Sequence, residues 1–505
     1  MVSLDDVAEN LLHGPSVTSD SSDSSHPAQS RPASDYKPLH TYDLDKARSY
    51  KQQYGDMYFL RLTKIKPAVE EAASAAWDGT VIAGEEAKRV ERVLDVRQGE
   101  LCWVVGTVFV AMPLKPDILE DVSKDRWISA PIMPEKYFSN IEENEIMLED
   151  DSGRIRLSGD LLKSVNLVTG CIVAVMGTEN PNGALEIIDV KLPDLAPQPE
   201  RWSLTKLSNS KAKLKSEDRD EEMENVSPNG GKKLAIVSGL SFSSSDASYA
   251  LELNLLLEYL LGEALGPAAQ AEISQISRLI IAGNSISTAK AEHEETREKK
   301  VSKKYGYDAS AYNAIPSQLF DDFLAELLPS LPVTLLPGVL DPANASYPQQ
   351  PIHAAMFPTS RNFAKNPGSN DPGWFDAVTN PWEGEVEGWR VLGTGGQNID
   401  DVFKYVESDD RLGMMEAMCR WRCCAPTAPD TLWSYPFQDD DPFVLKDCPH
   451  LYFAGNQPEF GTKIIHGPEG QSVRLITVPS FAATKEIVLV DTETLEVSKV
   501  QIATG

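Results

Sequence analysis

Few residues of this sequence have the types and spacing needed for metal-dependent hydrolysis. Dications that activate water beside a phosphate are held by clustered carboxylates and imidazoles. The chain has 7 histidines, and most lie in or beside a Ser/Pro-rich N-terminal stretch or in a Lys/Glu-rich segment. The three that remain are His353, His450 and His466. None of the three is preceded by the acidic residue or histidine that would complete a metal-binding pair. We therefore predict that these histidines pack and form hydrogen bonds and take no part in catalysis.

Two further groups of residues could bind a ligand, and both have a simpler structural interpretation. The segment Gly393–Asn398, GTGGQN, follows a predicted strand and opens a predicted helix, so its backbone amides could bind a phosphate. It lacks the lysine of a P-loop and the spacing of a dinucleotide fingerprint, which favours tight strand-to-helix packing. Cys419, Cys423 and Cys424 lie on one predicted helix without a Cys-x-x-Cys pair, and apolar packing is favoured over metal binding.

The charge of the chain argues against unaided binding to nucleic acid. Its 76 acidic residues outnumber 47 basic ones, and the formal net charge of −29 repels phosphate backbones. The segment 142–160 sets mostly acidic side chains against Arg154 and Arg156 and lacks the interleaved basic and aromatic residues that bind single strands. Protein binding is the better interpretation. The basic run 297–304, REKKVSKK, is a nuclear-import signal, a phosphate contact or a solvated helix end.

Composition predicts a soluble intracellular protein. The 6 cysteines form no readable disulfide framework or zinc knuckle, which fits a reducing compartment. The opening residues, MVSLDDVAEN, are acidic where a secretory signal would be basic. No apolar run approaches the length of a membrane span, so we expect no membrane partner.

The elements that position these residues divide into two predicted domains. Residues 45–203 carry a helical element, a strand with Gly106 inside it and two curved hairpins, which together predict an OB-fold β barrel. Residues 233–505 alternate unbroken apolar strands with amphipathic helices, which predicts a parallel sheet within an αββα phosphodiesterase-type sandwich. Residues 1–44 predict a disordered tail, and residues 204–232 predict a flexible linker.

Ordered motifs along the chain resemble one family. In the second domain they are VSGLSF, IIAGNSI, LLPGVLDPANASYPQQPIHAAMFP, LGTGGQNIDDVFKY, CAPTAPDTLWSYPF and YFAGNQPEFGTKII, and in the first YKQQYGDMYFLRL, GTVFVAMPLKPDIL and LVTGCIVAVMG. Over roughly residues 45–502, except the linker and the lysine-rich stretch near 288–304, the sequence is similar to the small (B) subunits of the replicative DNA polymerases, above all those of DNA polymerase delta. The resemblance implies an OB domain joined to a calcineurin-like phosphodiesterase domain that has lost catalysis.

The resemblance also implies where the lost catalytic residues would have stood. An active phosphodiesterase carries Asp-x-His after its first strand, and Ser238 and Leu240 occupy the matching positions. The aspartate that bridges two metals is matched by Asn284, which is neutral. The Gly-Asn-His-Asp turn is matched at Gly338 and the late Gly-His-x-His pair at Asn456. If Gly338 holds a positive φ, a larger side chain there would strain the turn.

By this resemblance the chain is a non-catalytic accessory and scaffold subunit of DNA polymerase delta in the nucleus, without metal or cofactor. It would bridge the cysteine-rich C-terminal domain of the catalytic subunit and a third regulatory subunit, and would meet DNA only within the complex, in replication and repair. Trp374, Trp382 and Trp389 are candidate anchors for partners, with core packing as the alternative. The alternatives are the B subunit of polymerase alpha or epsilon, an active metal-dependent phosphodiesterase and a nucleic-acid-binding module. The PQQP segment and the chain length favour delta.

Overall fold

The computed structural model describes the chain from residue 30 to residue 502, with gaps. Residues 1–29, nearly all of the predicted linker 204–232 and the basic run 297–304 lie outside the described residues. No helix that is described has both the length and the apolar character needed to cross a membrane. The described ranges are 30–45, 48–49, 51, 53–115, 135–139, 144–201, 231–244, 248–263, 266–287, 313–366 and 372–502.

The first part of the chain forms a β barrel with one long helix on its outside. In chain order the elements are β1 (Tyr36–Pro38), α1 (Gly55–Trp77), β2 (Val81–Ile82), β3 (Glu85–Glu86), β4 (Lys88–Arg89), β5 (Leu101–Ala111), β6 (Glu145–Glu149), β7 (Arg154–Ser158), β8 (Ile172–Glu179) and β9 (Ala184–Lys191). The barrel order is β4-β5-β6-β7-β9-β8, and it closes because β5 pairs with β6 over residues 107–111 and with β8 over residues 101–107. The partner changes beside Gly106, where a Cβ would lie 2.8 Å from the Glu149 carbonyl oxygen. This close approach fits the bend predicted inside the strand.

Helix α1 packs on the barrel through a stripe that recurs every fourth residue. Its buried residues are Met57, Arg61, Ile65, Val69, Ala73 and Trp77. Such spacing follows one face of a helix, and the stripe from Ile65 onward shares an apolar cluster with β5 and β8. Arg61 is the charged member of the stripe. Its guanidinium donates to the Asp441 carboxylate (2.8 Å) and to the Pro426 carbonyl (2.7 Å), both in the second part of the chain.

The second part of the chain forms two sheets that pack face to face. Its helices are α2 (Ala250–Leu261), α3 (Pro267–Ile273), α4 (Ile315–Leu327), α5 (Gln397–Tyr405), α6 (Arg411–Arg420) and α7 (Phe481–Thr484). Its strands are β10 (Lys233–Val237), β11 (Ile276–Ala282), β12 (Val333–Leu336), β13 (Phe375–Ala377), β14 (Trp382–Val386), β15 (Trp389–Thr394), β16 (Leu451–Gln457), β17 (Gly461–His466), β18 (Ser472–Pro479), β19 (Glu486–Asp491) and β20 (Val497–Gln501). Sheet I has the order β13-β12-β11-β10-β19-β20, and sheet II the order β1-β14-β15-β16-β18-β17.

Sheet I has a parallel centre, as its unbroken apolar strands predict. Strand β10 pairs parallel with β11, β11 with β12, and β12 with β13. The inner face of the sheet meets sheet II in an apolar cluster that includes Ile236, Ile280 and Phe453. The outer face is covered by α2 and α4, through side chains such as Leu256 and Phe320. The described elements therefore fit an OB barrel joined to a phosphodiesterase-like two-sheet domain.

The N-terminal arm, residues 31–44, is part of the fold. Strand β1 lies antiparallel beside β14 at the edge of sheet II, with Tyr36 opposite Val386, and the Tyr36 ring packs 6.2 Å from that of Trp382. Tyr42 is buried in the main hydrophobic cluster. The prediction of a disordered tail up to residue 44 is therefore wrong for the arm. Two buried tyrosines and an edge pairing order a segment whose average composition is polar.

The barrel shares one hydrophobic core with sheet II and with helices α5 and α6. A single cluster of buried side chains contains Val104 and Val175 from the barrel together with Met415 and Tyr452 from the second part of the chain. The chain from Arg31 onward accordingly forms one compact unit. The two parts are distinct along the sequence and continuous in space.

Candidate functional site

The positions that the resemblance assigns to lost metal ligands meet at one edge of the fold. Ser238 follows β10, Asn284 follows the end of β11 and Gly338 follows the end of β12, and these parallel strands end on the same side. Asn456, in β16 of sheet II, donates its backbone N–H to the Ser238 Oγ atom (2.9 Å). A Cβ built at Gly283 would lie 2.9 Å from the Gly338 Cα atom and 3.2 Å from Asn456 Nδ2. We call these four positions together the strand-end site.

Ser238 is fully engaged in internal hydrogen bonds. It is buried, and its hydroxyl lies 3.1 Å from the Val478 carbonyl oxygen and 3.0 Å from that of Pro479 while it accepts the N–H of Asn456. Leu240, two residues further on, is buried in the apolar cluster outside sheet I. At the positions where the resemblance places a metal-binding carboxylate and imidazole, the chain therefore has a structural hydroxyl and a core leucine.

Asn284 and Gly338 form a tight contact between two turns. Asn284 has a φ of +54°, in the left-handed region that asparagine tolerates better than most residues, and its Oδ1 accepts the N–H of Leu340 (3.0 Å). A Cβ at Gly338 would overlap both the backbone nitrogen and the Oδ1 atom of Asn284. Gly338 does not itself have a positive φ, so the condition under which a larger side chain would strain the backbone is not met. Glycine is required at this position for space.

Three side-chain amides whose meeting is not predicted by the sequence lie at the same edge. Asn380 Nδ2 donates to the Oε1 atoms of Gln349 (2.9 Å) and Gln397 (2.8 Å). Gln397 Nε2 donates to Gln349 Oε1 (2.7 Å), and Gln349 Nε2 donates to the Gly338 carbonyl (3.1 Å). The amides belong to the PQQP, NP and GGQN segments, which are far apart along the chain. Only the fold shows that they form one hydrogen-bonded cluster.

The strand-end site does not fit a metal centre. Two metals beside a phosphate need carboxylate or imidazole ligands, whereas the side chains here are a hydroxyl, amides and a glycine held in hydrogen bonds. Within the described ranges, no group of three or more His, Cys, Asp or Glu side chains is placed to hold an ion. Asp341 lies beside the site, but its carboxylate accepts the backbone N–H groups of Gly338 (2.7 Å) and Ile286 (2.8 Å). That carboxylate therefore stabilises the loops.

Asp341 is expected to give the fold a measurable pH dependence. Burial raises the pKa of its carboxyl to about 6, although backbone hydrogen bonds oppose the rise. In the unfolded chain the pKa of this carboxyl is about 3.9, so the folded state binds the proton more tightly. The stabilisation that the proton provides is therefore complete below about pH 3.9 and is lost as the pH rises through the folded pKa. We expect the wild-type chain to gain about 1–3 kcal/mol relative to Asp341→Asn between about pH 7.5 and about pH 5, in urea unfolding. A difference that does not change with pH would contradict this prediction.

The candidate histidines serve local structure or lie on the surface. His353 Nδ1 accepts the N–H of Ala355 (3.1 Å) at the start of a short 3-10 helix. His450 is buried, its Nδ1 accepts the N–H of Arg390 (3.1 Å), and burial lowers its pKa. His466 ends β17 and is exposed. The structural interpretation of these residues fits their contacts.

The glycine-rich turn and the three clustered cysteines also pack. A Cβ at Gly396 would overlap the Gly455 carbonyl oxygen, which fits close packing of this turn against β16. Cys419, Cys423 and Cys424 are buried free thiols within the shared core. Neither group presents an open ligand site in the described structure.

Exposed tryptophans are the described aromatic residues best placed to meet a partner. Of the three anchors suggested by the sequence, Trp382 is 2% exposed and packs between the sheets. Trp389 donates its indole N–H to the Thr492 carbonyl (2.5 Å), and Trp374 is 45% exposed. Trp433 is 67% exposed and was not among those three anchors. Trp374 and Trp433 are therefore the stronger candidates.

Two family models match the chain in the same two parts. Residues 53–190 match the model for the OB-fold domain of the DNA polymerase delta subunit, and residues 234–462 match the model for the B subunit of DNA polymerases alpha and epsilon. A barrel followed by a two-sheet body with these matches defines the class of replicative polymerase B subunits.

Whole-chain relatives identify the family within that class. The DNA polymerase delta small subunit of Saccharomyces cerevisiae is 34% identical over 90% of this chain and 91% of its own length. The DNA polymerase delta small subunit of Arabidopsis thaliana is 34% identical over 94% of this chain and 97% of its own. DNA polymerase delta subunit 2 of Drosophila melanogaster is 32% identical over 89% of this chain and 93% of its own length. The chain belongs to the family of DNA polymerase delta small subunits, and the resemblance seen in its motifs is confirmed.

Proposed function

We propose that this chain is a non-catalytic accessory subunit of DNA polymerase delta that acts as a scaffold in the nucleus, in replication and repair. It bridges the cysteine-rich C-terminal domain of the catalytic subunit and a third regulatory subunit. The strand-end site carries the proposal, because its hydroxyl and amides are turned inward to backbone groups where a phosphodiesterase needs charged ligands. The four positions of the strand-end site include no carboxylate or imidazole that would activate water.

The shared core supports a scaffold role. A scaffold needs surfaces that are formed before its partners arrive. The barrel and sheet II are held together by one apolar cluster, and the Arg61–Asp441 ion pair, whose side chains are 1% and 0% exposed, joins the barrel helix to the second part of the chain. Separation of the two parts would expose apolar side chains and unpair two charges, so their outer surfaces keep a fixed spacing. This rigidity favours simultaneous binding of two partners.

The distribution of charge supports contact with DNA through the partners. The whole chain carries a formal net charge of −29. On the β6–β7 hairpin of the barrel, Arg154 pairs with Glu149 (2.6 Å) and Arg156 with Glu145 (3.5 Å). These arginines therefore contribute little positive potential to attract a phosphate backbone.

The bridging role is tested by retention of the third subunit on immobilised full-length catalytic subunit. We expect retention only when this chain is added, because it supplies both contact surfaces. Retention without it would contradict the bridge. In a parallel assay the purified chain, with manganese and bis-nitrophenyl phosphate, should release no more nitrophenol than buffer does. Metal-dependent turnover would contradict the non-catalytic role.

A further inference from the structure

Ser34 lies in the N-terminal arm against a buried arginine of sheet I. Its Oγ atom accepts a hydrogen bond from Arg278 Nε (3.0 Å), and Arg278 is 2% exposed. The same guanidinium donates from Nη1 to Thr334 Oγ1 (2.9 Å) and lies 3.9 Å from the centre of the Tyr36 ring. The docked arm thus places a half-buried serine hydroxyl at a crowded, charged position.

The charges around Ser34 are already balanced by carboxylates. Lys232 Nζ donates to the Ala33 carbonyl (2.8 Å) and to the Glu387 carboxylate (2.8 Å). The other oxygen of Glu387 accepts the N–H of Asp35 (3.0 Å). Asp376 accepts the Tyr36 hydroxyl (2.5 Å) and interacts electrostatically with Arg278. Two carboxylates, those of Glu387 and Asp376, therefore accompany two cations, Lys232 and Arg278, around this part of the arm.

Arg31 precedes Ser34 by three positions, and the docked arm occupies its guanidinium. Arg31 donates to the carbonyl oxygens of Ile273 (2.9 Å) and Ile276 (3.2 Å), and also to that of Leu260 at the end of α2. An arginine three residues before a serine is the pattern that arginine-directed kinases bind with acidic side chains. A kinase can bind the Arg31 guanidinium only when the arm has left these carbonyl oxygens.

We propose that Ser34 is a phosphorylation site for an arginine-directed serine kinase and that phosphorylation and docking of the arm exclude each other. The kinase transfers the γ-phosphoryl group of ATP to Ser34 Oγ. The new O–P bond forms as the bond from the γ-phosphorus to the β,γ-bridging oxygen breaks, ADP leaves, and the hydroxyl proton passes to a carboxylate of the kinase. The proposal concerns control of this chain and does not rest on its role as a bridge.

The phosphate opposes docking because of where it would lie. It brings about −1.5 to −2 charge at neutral pH to the residue that precedes Asp35, close to Glu387, which already pairs with Lys232, and to Asp376, which interacts electrostatically with Arg278. Like-charge repulsion and the loss of water from the phosphate both favour the released arm. Tyr42, 1% exposed in the core, remains as the anchor, so release is confined to the residues before it.

Release uncovers the edge of sheet II. In the docked arm the Leu39 N–H donates to the Glu383 carbonyl (3.2 Å), and the Glu387 N–H donates to the Asp35 carbonyl (2.7 Å). Without the arm, β14 presents these groups as an unpaired edge, which is the kind of template to which an extended segment adds as a strand. Phosphorylation of Ser34 therefore controls access to a strand-binding edge.

The experiment treats the full-length chain with a purified arginine-directed serine kinase and ATP, and locates the phosphate by mass spectrometry. We expect phosphate on Ser34 and at least about tenfold slower labelling in Arg31→Lys, which keeps the charge and loses the guanidinium. Tyr36→Ala, which removes the aromatic anchor of β1, should be labelled about tenfold faster than wild type, because docking and labelling are linked. Equal labelling of Arg31→Lys and wild type would overturn the proposed recognition. Absence of phosphate on Ser34 in both wild type and Tyr36→Ala would overturn the site.

Hydrogen exchange of the phosphorylated chain tests whether the phosphate on Ser34 prevents docking of the arm. We expect the amides of Leu39 and Glu387 to exchange at least about tenfold faster after phosphorylation, as they do in unlabelled Tyr36→Ala. Ser34→Ala treated with the same kinase is the matched control and should keep the wild-type exchange rates. Unchanged or slower exchange in the chain that carries phosphate on Ser34 would overturn the proposal, because the phosphate would then be compatible with docking.

Discussion

Replacement of Arg61 by methionine is expected to lower the free energy of unfolding by roughly 3–5 kcal/mol. Methionine fills similar space in the stripe of α1 but removes the partner of Asp441, which is 0% exposed and lies in the second part of the chain. It also removes the hydrogen bond to the Pro426 carbonyl. A buried carboxylate without a cation is costly, so the variant should unfold at lower urea concentration, followed by tryptophan fluorescence.

The neighbouring turn of α1 offers a matched control. Lys64 pairs with Asp440, and these side chains are 28% and 47% exposed. Because exposed pairs contribute little, Lys64→Met should cost less than about 1 kcal/mol. The double variant Arg61→Met/Asp441→Leu should recover much of the loss, since it leaves no buried charge unpaired. If Arg61→Met is no less stable than Lys64→Met, the buried ion pair does not stabilise the contact between the barrel helix and the second part of the chain.

Restoring two carboxylates to the strand-end site should damage the fold and give no enzyme. In Ser238→Asp/Asn284→Asp the first carboxylate would face the Val478 and Pro479 carbonyl oxygens, which accept from the native hydroxyl at 3.1 and 3.0 Å. The buried anion would face two acceptors with only the Asn456 N–H as a donor, and we expect a loss of roughly 3 kcal/mol or more. Phosphodiesterase activity should stay at the buffer level with manganese, because the imidazole ligands are still missing.

Single variants separate the causes in this second prediction. Asn284→Asp keeps the oxygen that accepts the Leu340 N–H, so it should be the milder change. Ser238→Ala loses the hydroxyl without adding charge and should cost about 1–3 kcal/mol. Urea unfolding orders the variants, and the phosphodiesterase assay is run on each folded protein. Turnover by the double variant would show that the site needs only its carboxylates, and the interpretation of its amides would be wrong.

Much of the fold follows from local pattern. The unbroken apolar runs of β10 to β12 indicate strands buried on both faces, and Gly106 marks the point where β5 changes its partner. Alternation along β6 to β9 sets the hairpins of the barrel. These signals lie within a few residues of the structure that they specify, which is why one sequence is enough to find them.

The parts that escaped prediction depend on residues that are distant along the chain. The arm follows from the fit of Tyr36 against Trp382 and Arg278, and its polar composition hides that fit. Gly338 is needed because Asn284 occupies the space beside it, and its own backbone φ is ordinary. The amide cluster joins Gln349, Asn380 and Gln397, and no spacing along the chain indicates that these three side chains meet. Contacts of this kind leave no periodic pattern in the sequence from which they could be predicted.

The Arg61–Asp441 contact also bears on how the protein is made. The two residues are 380 positions apart, and at about 5–20 residues per second the ribosome needs roughly 20–75 seconds to synthesise the chain between them. Throughout that interval the nascent helix α1 carries an uncompensated charge within its apolar face. Nascent chains in this state expose surface that promotes aggregation. A polypeptide released before residue 441 therefore leaves the barrel helix unsupported, although every residue of the barrel has already been made.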